Sequence, residues 1–103
     1  MDVASPSPDD IIAALRAHDV ELRRAGIRHL SLFGSVARDE ASAASDIDLA
    51  ADLDPDAHIG LFRLMGLQRR LSEILGRRVD LLPEPAESPR LQRNIERDRR
   101  RAF

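Results

Sequence analysis

The sequence predicts a small mixed β-sheet of three or more strands flanked by helices, an α+β or α/β architecture with the element order α-β-α-β-α-β-α. Apolar residues recur at helical spacing in the longer segments and at strand spacing in the short segments between them. Gly34 and Ser35 follow the first predicted strand, and Asp46 and Asp48 open the second. If these four residues serve one site, the two strands must run antiparallel, which makes the sheet mixed.

The first predicted helix begins after Ser7, which is followed by Pro8 and two aspartates, and it ends before Gly26. A serine cap, a proline in the first turn and acids near the positive end of the helix are all typical of a helix start. Segment 28–33 alternates apolar and other side chains and predicts the first strand. Segment 36–44 is rich in Ala and Ser, which indicates a short helix followed by a loop.

The second predicted strand spans residues 46–53. Successive side chains of a strand point to opposite faces, so Asp46 and Asp48 share one face and the apolar residues between them turn to the core. Segment 59–75 is the longest helical pattern, and Gly76 ends it. The apolar residues predicted to face the core from this helix are Leu61, Leu64, Met65, Leu71, Ile74 and Leu75.

The third predicted strand spans residues 77–82, and it points Asp80 away from the apolar side chains on either side of it. A last helix starts after Ser88 and the proline that follows it. We expect residues 1–7 and the arginine-rich residues 98–103 to be flexible. All 103 residues then form a single minimal domain with one modest core.

The composition excludes several classes of function. The sequence has no Cys and no Lys, which excludes thiolate sites, disulfides, Schiff bases and lysine-based phosphate loops. The acidic start lacks the apolar segment of a signal peptide, and no apolar run approaches the roughly 20 residues of a membrane span, so we expect a cytoplasmic protein. The net charge of −2, with no aromatic residues among the C-terminal arginines, argues against direct nucleic-acid binding.

Three acidic residues indicate chemistry that involves a cation. Asp46 and Asp48 carry like charges that repel each other unless a cation lies between them. Asp80 lies in an apolar strand, where Asp is disfavoured unless it is paired. It either joins the same site or forms an ion pair with Arg77 or Arg78 on an edge strand. Together the three carboxylates would make an oxygen-only site suited to Mg²⁺, and two such ions could clamp a phosphoryl transfer.

The Gly34-Ser35 pair is suited to binding phosphate, because glycine lets the backbone approach closely and the serine hydroxyl can donate a hydrogen bond. Taken alone, the pair is more often a plain strand-to-helix turn. Its spacing from Asp46 and Asp48, with a strand, a turn and a second strand in between, is far more specific.

This combined motif resembles the signature of the DNA polymerase β-type nucleotidyltransferase superfamily. It consists of Gly34-Ser35, ten further residues and Asp46-x-Asp48. The flanking residues resemble the smallest branch of that superfamily, the minimal nucleotidyltransferase (MNT) domains; they are Ala37, Arg38 and Ser45. The resemblance spans about residues 10–85 and implies the nucleotidyltransferase fold. The family usually has Gly where this chain has Asp39, and Asp is among the better-tolerated residues if that position needs a positive φ.

The resemblance also implies roles for individual residues. Asp46, Asp48 and Asp80 are the implied catalytic and metal-binding carboxylates for two Mg²⁺ ions, and Asp80 also helps to deprotonate the acceptor hydroxyl. ATP is the implied substrate. The residues implied to bind it are Gly34, Ser35, Arg38 and Ser45.

Many MNT proteins resemble antitoxins that are encoded beside HEPN-domain ribonuclease toxins, and some of them transfer AMP from ATP to a toxin tyrosine. The resemblance therefore implies a protein adenylyltransferase that forms a hetero-oligomer with such a toxin. The chain has no Tyr, so a tyrosine acceptor must lie on another protein. Two alternatives remain open: an antitoxin that neutralises its toxin by binding alone, and a small-molecule nucleotidyltransferase.

Overall fold

The computed structural model describes residues 6–103, and its four strands form one mixed sheet. The strands are β1 (Ile27–Phe33), β2 (Ile47–Leu53), β3 (Val79–Pro83) and β4 (Arg100–Arg101), in the spatial order β3-β2-β1-β4. Strand β1 runs antiparallel to both β2 and β4, whereas β2 and β3 are parallel. The predicted mixed sheet and the antiparallel pairing of the first two strands are therefore confirmed.

Helices cover both faces of this sheet. They are α1 (Pro8–Ala17), α2 (Asp19–Arg24), α3 (Gly34–Ala37), α4 (Leu61–Leu75) and α5 (Pro89–Asp98), with one 3₁₀ turn at Pro55–Ala57. The larger core joins one face of the sheet to α1, α2 and α4, and a smaller cluster joins the other face to α5. Within the described residues, no helix combines the length and apolar character needed to cross a membrane.

The alternation of β2 decides which face carries the acidic residues. Leu49 and Ala51 belong to the larger core, and Ala50 belongs to the cluster under α5. Asp48, two residues before Ala50, therefore shares the α5 face. In the neighbouring strand Asp80 pairs directly with Asp48, which brings it to the same face.

The first helical segment differs from the single helix that the sequence predicts. It is divided at His18, which ends α1 and begins α2. An imidazole nitrogen of His18 lies 2.9 Å from the Ala14 carbonyl oxygen, the acceptor that an uninterrupted helix would offer to the backbone N–H of His18. The ring thus takes the place of the missing backbone bond, and the chain turns before α2.

The predicted core-facing stripe of the longest helix is wrong at two positions. Leu61 and Met65 are 69% and 53% exposed, whereas Leu67 and Leu71 are buried. Each residue of an α-helix advances by about 100°, so two residues carry Met65 far around the helix from Leu67. A stripe built on Leu64 and Leu67 accounts for the packing of α4 on the sheet.

The expectation that residues 98–103 are flexible is also wrong. Strand β4 pairs with the outer edge of β1, and Ala102 is buried in the larger core. The backbone of Leu30 accepts from Ala102 N–H at 2.8 Å and donates to Phe103 at 3.1 Å. Edge pairing together with apolar burial explains why this charged segment is ordered. Of the other expected flexible segment, residues 1–5 lie outside the described part of the chain.

A partly buried polar network fixes the end of α5 against the sheet. The Arg99 guanidinium donates to both carboxylate oxygens of Glu84, at 2.8 and 2.6 Å, and to the buried Ser31 hydroxyl at 3.0 Å. Gln92 donates to the same carboxylate at 2.8 Å. The Arg99 guanidinium holds the pKa of Glu84 below its usual range. The residue that ends α5, Asp98, is thereby held close to the sheet.

Candidate functional site

Asp48 lies at the centre of an acidic cluster at one end of the sheet. It is half-buried on β2, directly beside Asp80 on β3, and Asp46 precedes it by two residues. Burial raises the pKa of the Asp48 carboxyl, and the negative charges of Asp80 and Asp46 raise it further, while Arg38 acts in the opposite direction. The carboxylates of Asp46 and Asp80 are therefore close enough to Asp48 for each of them to raise the free energy of ionising it.

Gly34 meets this cluster across the β1–β2 pair. Phe33 lies opposite Asp48 in the antiparallel register, so the turn that follows β1 passes over the Asp48 side chain. Gly34 has φ +77°, and a Cβ atom at this position would lie 3.2 Å from the Asp48 Cγ. The structure thus brings the predicted glycine and the predicted carboxylate into contact, and the contact leaves no room for a side chain at residue 34.

The chemistry of the cluster fits a hard divalent cation. Within residues 6–103, Asp46, Asp48 and Asp80 form no ion pair with any Arg or His, so their charges are not neutralised in this way. In the same described region, no three acidic or His side chains already converge as a complete metal-binding set. An incomplete set of protein ligands is compatible with Mg²⁺, because this ion uses only one or two carboxylates and completes its coordination shell with water and substrate phosphate.

Arg38, a predicted nucleotide contact, follows α3 beside the cluster. Its guanidinium donates to Glu40 at 3.3 Å and to Asp98, at the end of α5, at 2.7 Å. Sequence reasoning missed Asp98. The sequence does contain one signal for it: residue 98 is a single acid within the arginine-rich segment 97–101, and a solvent-exposed basic tail does not require an acid at that position.

The other two predicted nucleotide contacts have different surroundings. Ser35 is partly exposed and directly follows Gly34, and its carbonyl accepts from Glu40 N–H at 2.9 Å. The Ser45 hydroxyl is 2.9 Å from the Ser42 backbone nitrogen, so it closes the turn that leads into β2. The structure therefore brings Ser35 to the cluster with Gly34 and gives Ser45 a role in the loop.

The loop after α3 requires an unusual backbone conformation. Asp39 has φ +59°, in the left-handed region where the family usually has Gly. Its N–H donates to the Val36 carbonyl at 3.0 Å, which closes the short helix. The turn thus keeps the conformation of a glycine turn with an aspartate in it, which Asp tolerates better than most residues.

We expect Asp39→Gly to stabilise the protein by about 0.5–1 kcal/mol, because glycine adopts a positive φ without the steric cost that a side chain imposes. Nucleotide binding at the site should change by no more than about threefold, since the backbone conformation of the loop is already present. Chemical denaturation measures the first effect. Ala43→Gly, in an exposed part of the same loop with no positive φ, is the matched control and should lower stability. Equal destabilisation by both changes would contradict the expectation.

Comparison with known proteins gives the family of this chain. A family model described as a nucleotidyltransferase domain matches residues 18–102. The chain is 39% identical over 75 residues to the protein adenylyltransferase MntA of Thermococcus cleftensis, and the aligned region covers 72% of this chain and 74% of MntA. A solved structure assigned as a minimal nucleotidyltransferase is 32% identical, with a TM-score of 0.73 over 97% of this chain and 95% of the other.

Two solved toxin–antitoxin structures share the fold at lower identity. One, determined with AMP-PNP, has 21% identity and a TM-score of 0.70 over 85% of this chain and 72% of its own. The other is a tri-AMPylated HEPN toxin of Shewanella oneidensis in complex with an MNT antitoxin, with 19% identity and a TM-score of 0.65 over 89% and 71%. The family match and the identity to MntA show that this chain belongs to the nucleotidyltransferase domain family, as a minimal nucleotidyltransferase.

Proposed function

We propose that this protein is the antitoxin of a HEPN/MNT pair. It transfers AMP from ATP to a hydroxyl group of its HEPN toxin, and the proposed acceptor is the hydroxyl of a tyrosine. The observation that carries the proposal is the cluster of Asp46, Asp48 and Asp80 beside the close-packed Gly34. Such crowding of negative charge destabilises the folded protein unless a cation neutralises it. It therefore suits a site that is completed by a cation and a nucleotide. The cytoplasm, where ATP is available, is the proposed place of action.

Asp46, Asp48 and Asp80 would hold two Mg²⁺ ions in this proposal. Bound there, Mg²⁺ supplies electrophilic stabilisation of the charge on the transferring phosphoryl group. Asp48 and Asp80 lie near the start of β2 and β3, strands that are anchored in the core, and Asp46 directly precedes β2. Hydrogen-bonded strands hold such groups more accurately than a loop would.

Gly34, Ser35, Arg38 and Ser45 form the proposed nucleotide-binding side. The missing side chain at Gly34 lets the Asp48 carboxylate pack against the turn, and the exposed backbone of the turn would approach ATP phosphates bound through the cation. Ser35 supplies a hydroxyl donor, and Arg38 supplies a cation whose planar guanidinium matches phosphate oxygens. Ser45 contributes by fixing the loop that precedes Asp46.

The acceptor hydroxyl would approach from the side of Asp80, which is exposed on the edge strand β3. The acceptor oxygen forms a bond to the α-phosphorus, the bond from that phosphorus to the oxygen bridging to the β-phosphate breaks, and pyrophosphate leaves. The Asp80 carboxylate would take the acceptor proton. Because the chain has no Tyr, a tyrosine acceptor belongs to the partner.

The nature of the partner is supported by what similar proteins bind. MntA is named a protein adenylyltransferase, and the Shewanella complex joins an MNT antitoxin to a toxin that carries AMP groups. By the same fold, this chain would form a hetero-oligomer with a HEPN toxin, and the AMP-PNP structure supports ATP as its substrate. The alternative of neutralisation by binding alone differs in one respect: it does not need the carboxylates.

The proposal expects a HEPN toxin gene next to the gene of this protein. The test is to incubate the purified protein with that toxin, ATP and Mg²⁺, and to measure the mass of the toxin by mass spectrometry. We expect the toxin to gain one or more AMP masses, and EDTA to prevent the gain. Asp46→Ala/Asp48→Ala separates the alternatives in cells that produce the toxin. Loss of protection supports catalysis, and full protection by this variant without any mass gain would show that the protein acts by binding.

A further inference from the structure

We propose that Asp98 is a positioning residue that holds the Arg38 guanidinium in place for nucleotide binding. The inference rests on the proposed function, because it gives Arg38 its role as a phosphate contact. It concerns a residue outside the motif, about fifty positions after Asp48 and on the last helix.

Asp98 is bound on both of its oxygens. Arg38 Nη1 donates to Oδ2 at 2.7 Å, and Arg97 donates to Oδ1 at 2.9 Å and to Oδ2 at 3.2 Å. The side chain of Asp98 is only 4% exposed although it lies at the molecular surface, because the two guanidinium groups cover it. The hydrogen bonds from Arg97 and then from Arg38 hold the pKa of this carboxyl below its usual range. Asp98 is therefore an ionised carboxylate whose two oxygens accept hydrogen bonds from these two arginines.

The position of Asp98 is itself rigid. It ends α5, whose Ile95 is buried against the sheet, and the following residue, Arg99, is fixed by Glu84 and Ser31. Arg38 starts from a short loop, and its side chain has several rotatable bonds. A hydrogen bond from the mobile partner to the fixed one orders the guanidinium before any ligand binds, which lowers the entropy lost on binding.

The guanidinium that Asp98 holds lies within electrostatic reach of the acidic cluster. Its positive charge acts on the Asp48 carboxyl, which is the central residue of that cluster. Its hydrogen bonds in the structure use Nε for Glu40 and Nη1 for Asp98. An arginine has five N–H donors, and within residues 6–103 the two on Nη2 of Arg38 make no hydrogen bond, so they can donate to phosphate oxygens while Nε and Nη1 are held. The side chain is thus fixed through two of its nitrogens and available through the third.

A purely structural ion pair would connect α5 to α3 in the same way, so the experiment must separate the two roles. Affinity for AMP-PNP with Mg²⁺, measured by calorimetry, is the readout, with thermal unfolding as the check on folding. We expect Asp98→Ala to weaken AMP-PNP binding about tenfold, the usual scale for losing a charged hydrogen bond. The KM for ATP should rise by a similar factor while kcat stays within about threefold, since a ground-state contact is lost.

The matched control is Arg97→Ala, which removes the other arginine from Asp98 and leaves the contact with Arg38 in place. We expect this change to alter AMP-PNP affinity by less than twofold. The decisive measurement is the double variant Arg38→Ala/Asp98→Ala, which should bind no more weakly than Arg38→Ala alone, because Asp98 acts through Arg38. Asp98→Glu should recover part of the affinity. If Asp98→Ala unfolds, Asp98→Asn, which keeps the shape and loses the charge, enters the same cycle.

Three outcomes would overturn the proposal. Unchanged or tighter binding by the Asp98 variants would show that the carboxylate is structural or that it withholds Arg38 from the nucleotide. Additive losses in the double variant would show that Asp98 does not act through Arg38. Failure of the wild-type protein to bind AMP-PNP would contradict the proposed function itself, a result that loss of binding in the Asp98 variants alone could not produce.

Discussion

Asp48→Asn is expected to reduce AMP transfer by at least about a thousandfold while making the metal-free protein more stable. The loss follows from the central position of Asp48, between Asp46 and Asp80, where it would contact the catalytic cation. Electrophilic stabilisation by a metal ion is worth several kcal/mol, and each 1.36 kcal/mol corresponds to about tenfold in rate. Asn keeps the size of the side chain but removes the charge that holds the cation.

The gain in stability follows from the direction of the pKa shift. Burial and the charges of Asp80 and Asp46 raise the pKa of Asp48 in the folded protein. Between the unfolded and folded pKa values the native state binds more protons than the unfolded state, so stability falls as pH rises through that interval. Above the folded pKa the full cost is present. The advantage of Asp48→Asn should therefore be small in acid and reach its full value near neutral pH.

The measurements are AMP incorporation into the toxin, and thermal unfolding in EDTA across a pH series. Asp52→Asn is the matched control, because Asp52 lies on the same strand and the same face as Asp48 but pairs with Arg28 at 3.0 Å, away from the cluster. We expect it to change AMP transfer less than about twofold and to bring no gain in stability. More than a tenth of wild-type transfer in Asp48→Asn, or a lower Tm in EDTA, would contradict the assignment of Asp48.

The sequence allowed the sheet around the site to be predicted because the relevant signals are local. Strand alternation places Asp48 on the face opposite the larger core, and the order of Gly34 and Asp46 requires antiparallel strands. The positive φ that the family comparison raised for residue 39 is present in the structure. In each case the physical requirement lies within a few residues of the signal.

The features that the sequence did not predict depend on distant contacts. Strand β4 has two residues, too few for a periodic pattern, and it exists because the edge of β1 offers it hydrogen-bond partners. The break at His18 depends on a side chain that takes the Ala14 carbonyl. Asp98 meets Arg38 across 60 positions, and no local rule pairs two residues at that separation.

Gly34→Ala is expected to reduce AMP transfer about a hundredfold and to lower the free energy of unfolding by about 2–4 kcal/mol, because two separate costs combine. The backbone is at φ +77°, where a Cβ is strained. The added methyl group would also press on the Asp48 carboxylate, because it would lie 3.2 Å from the Asp48 Cγ. Neither the strand nor the turn can move away without breaking the β1–β2 register. The carboxylate would then be displaced from its place beside Asp80.

Gly76→Ala separates the strain from the collision. Gly76 has φ +64° at the end of α4, but a Cβ there would have no neighbour within 4 Å. We expect it to cost about 1 kcal/mol of stability and to leave AMP transfer within about twofold. Denaturant unfolding and toxin labelling of the two variants measure the difference. If Gly34→Ala were no worse than Gly76→Ala in both assays, the close approach of the turn to Asp48 would have no function, and Gly34 would be required only for its backbone conformation.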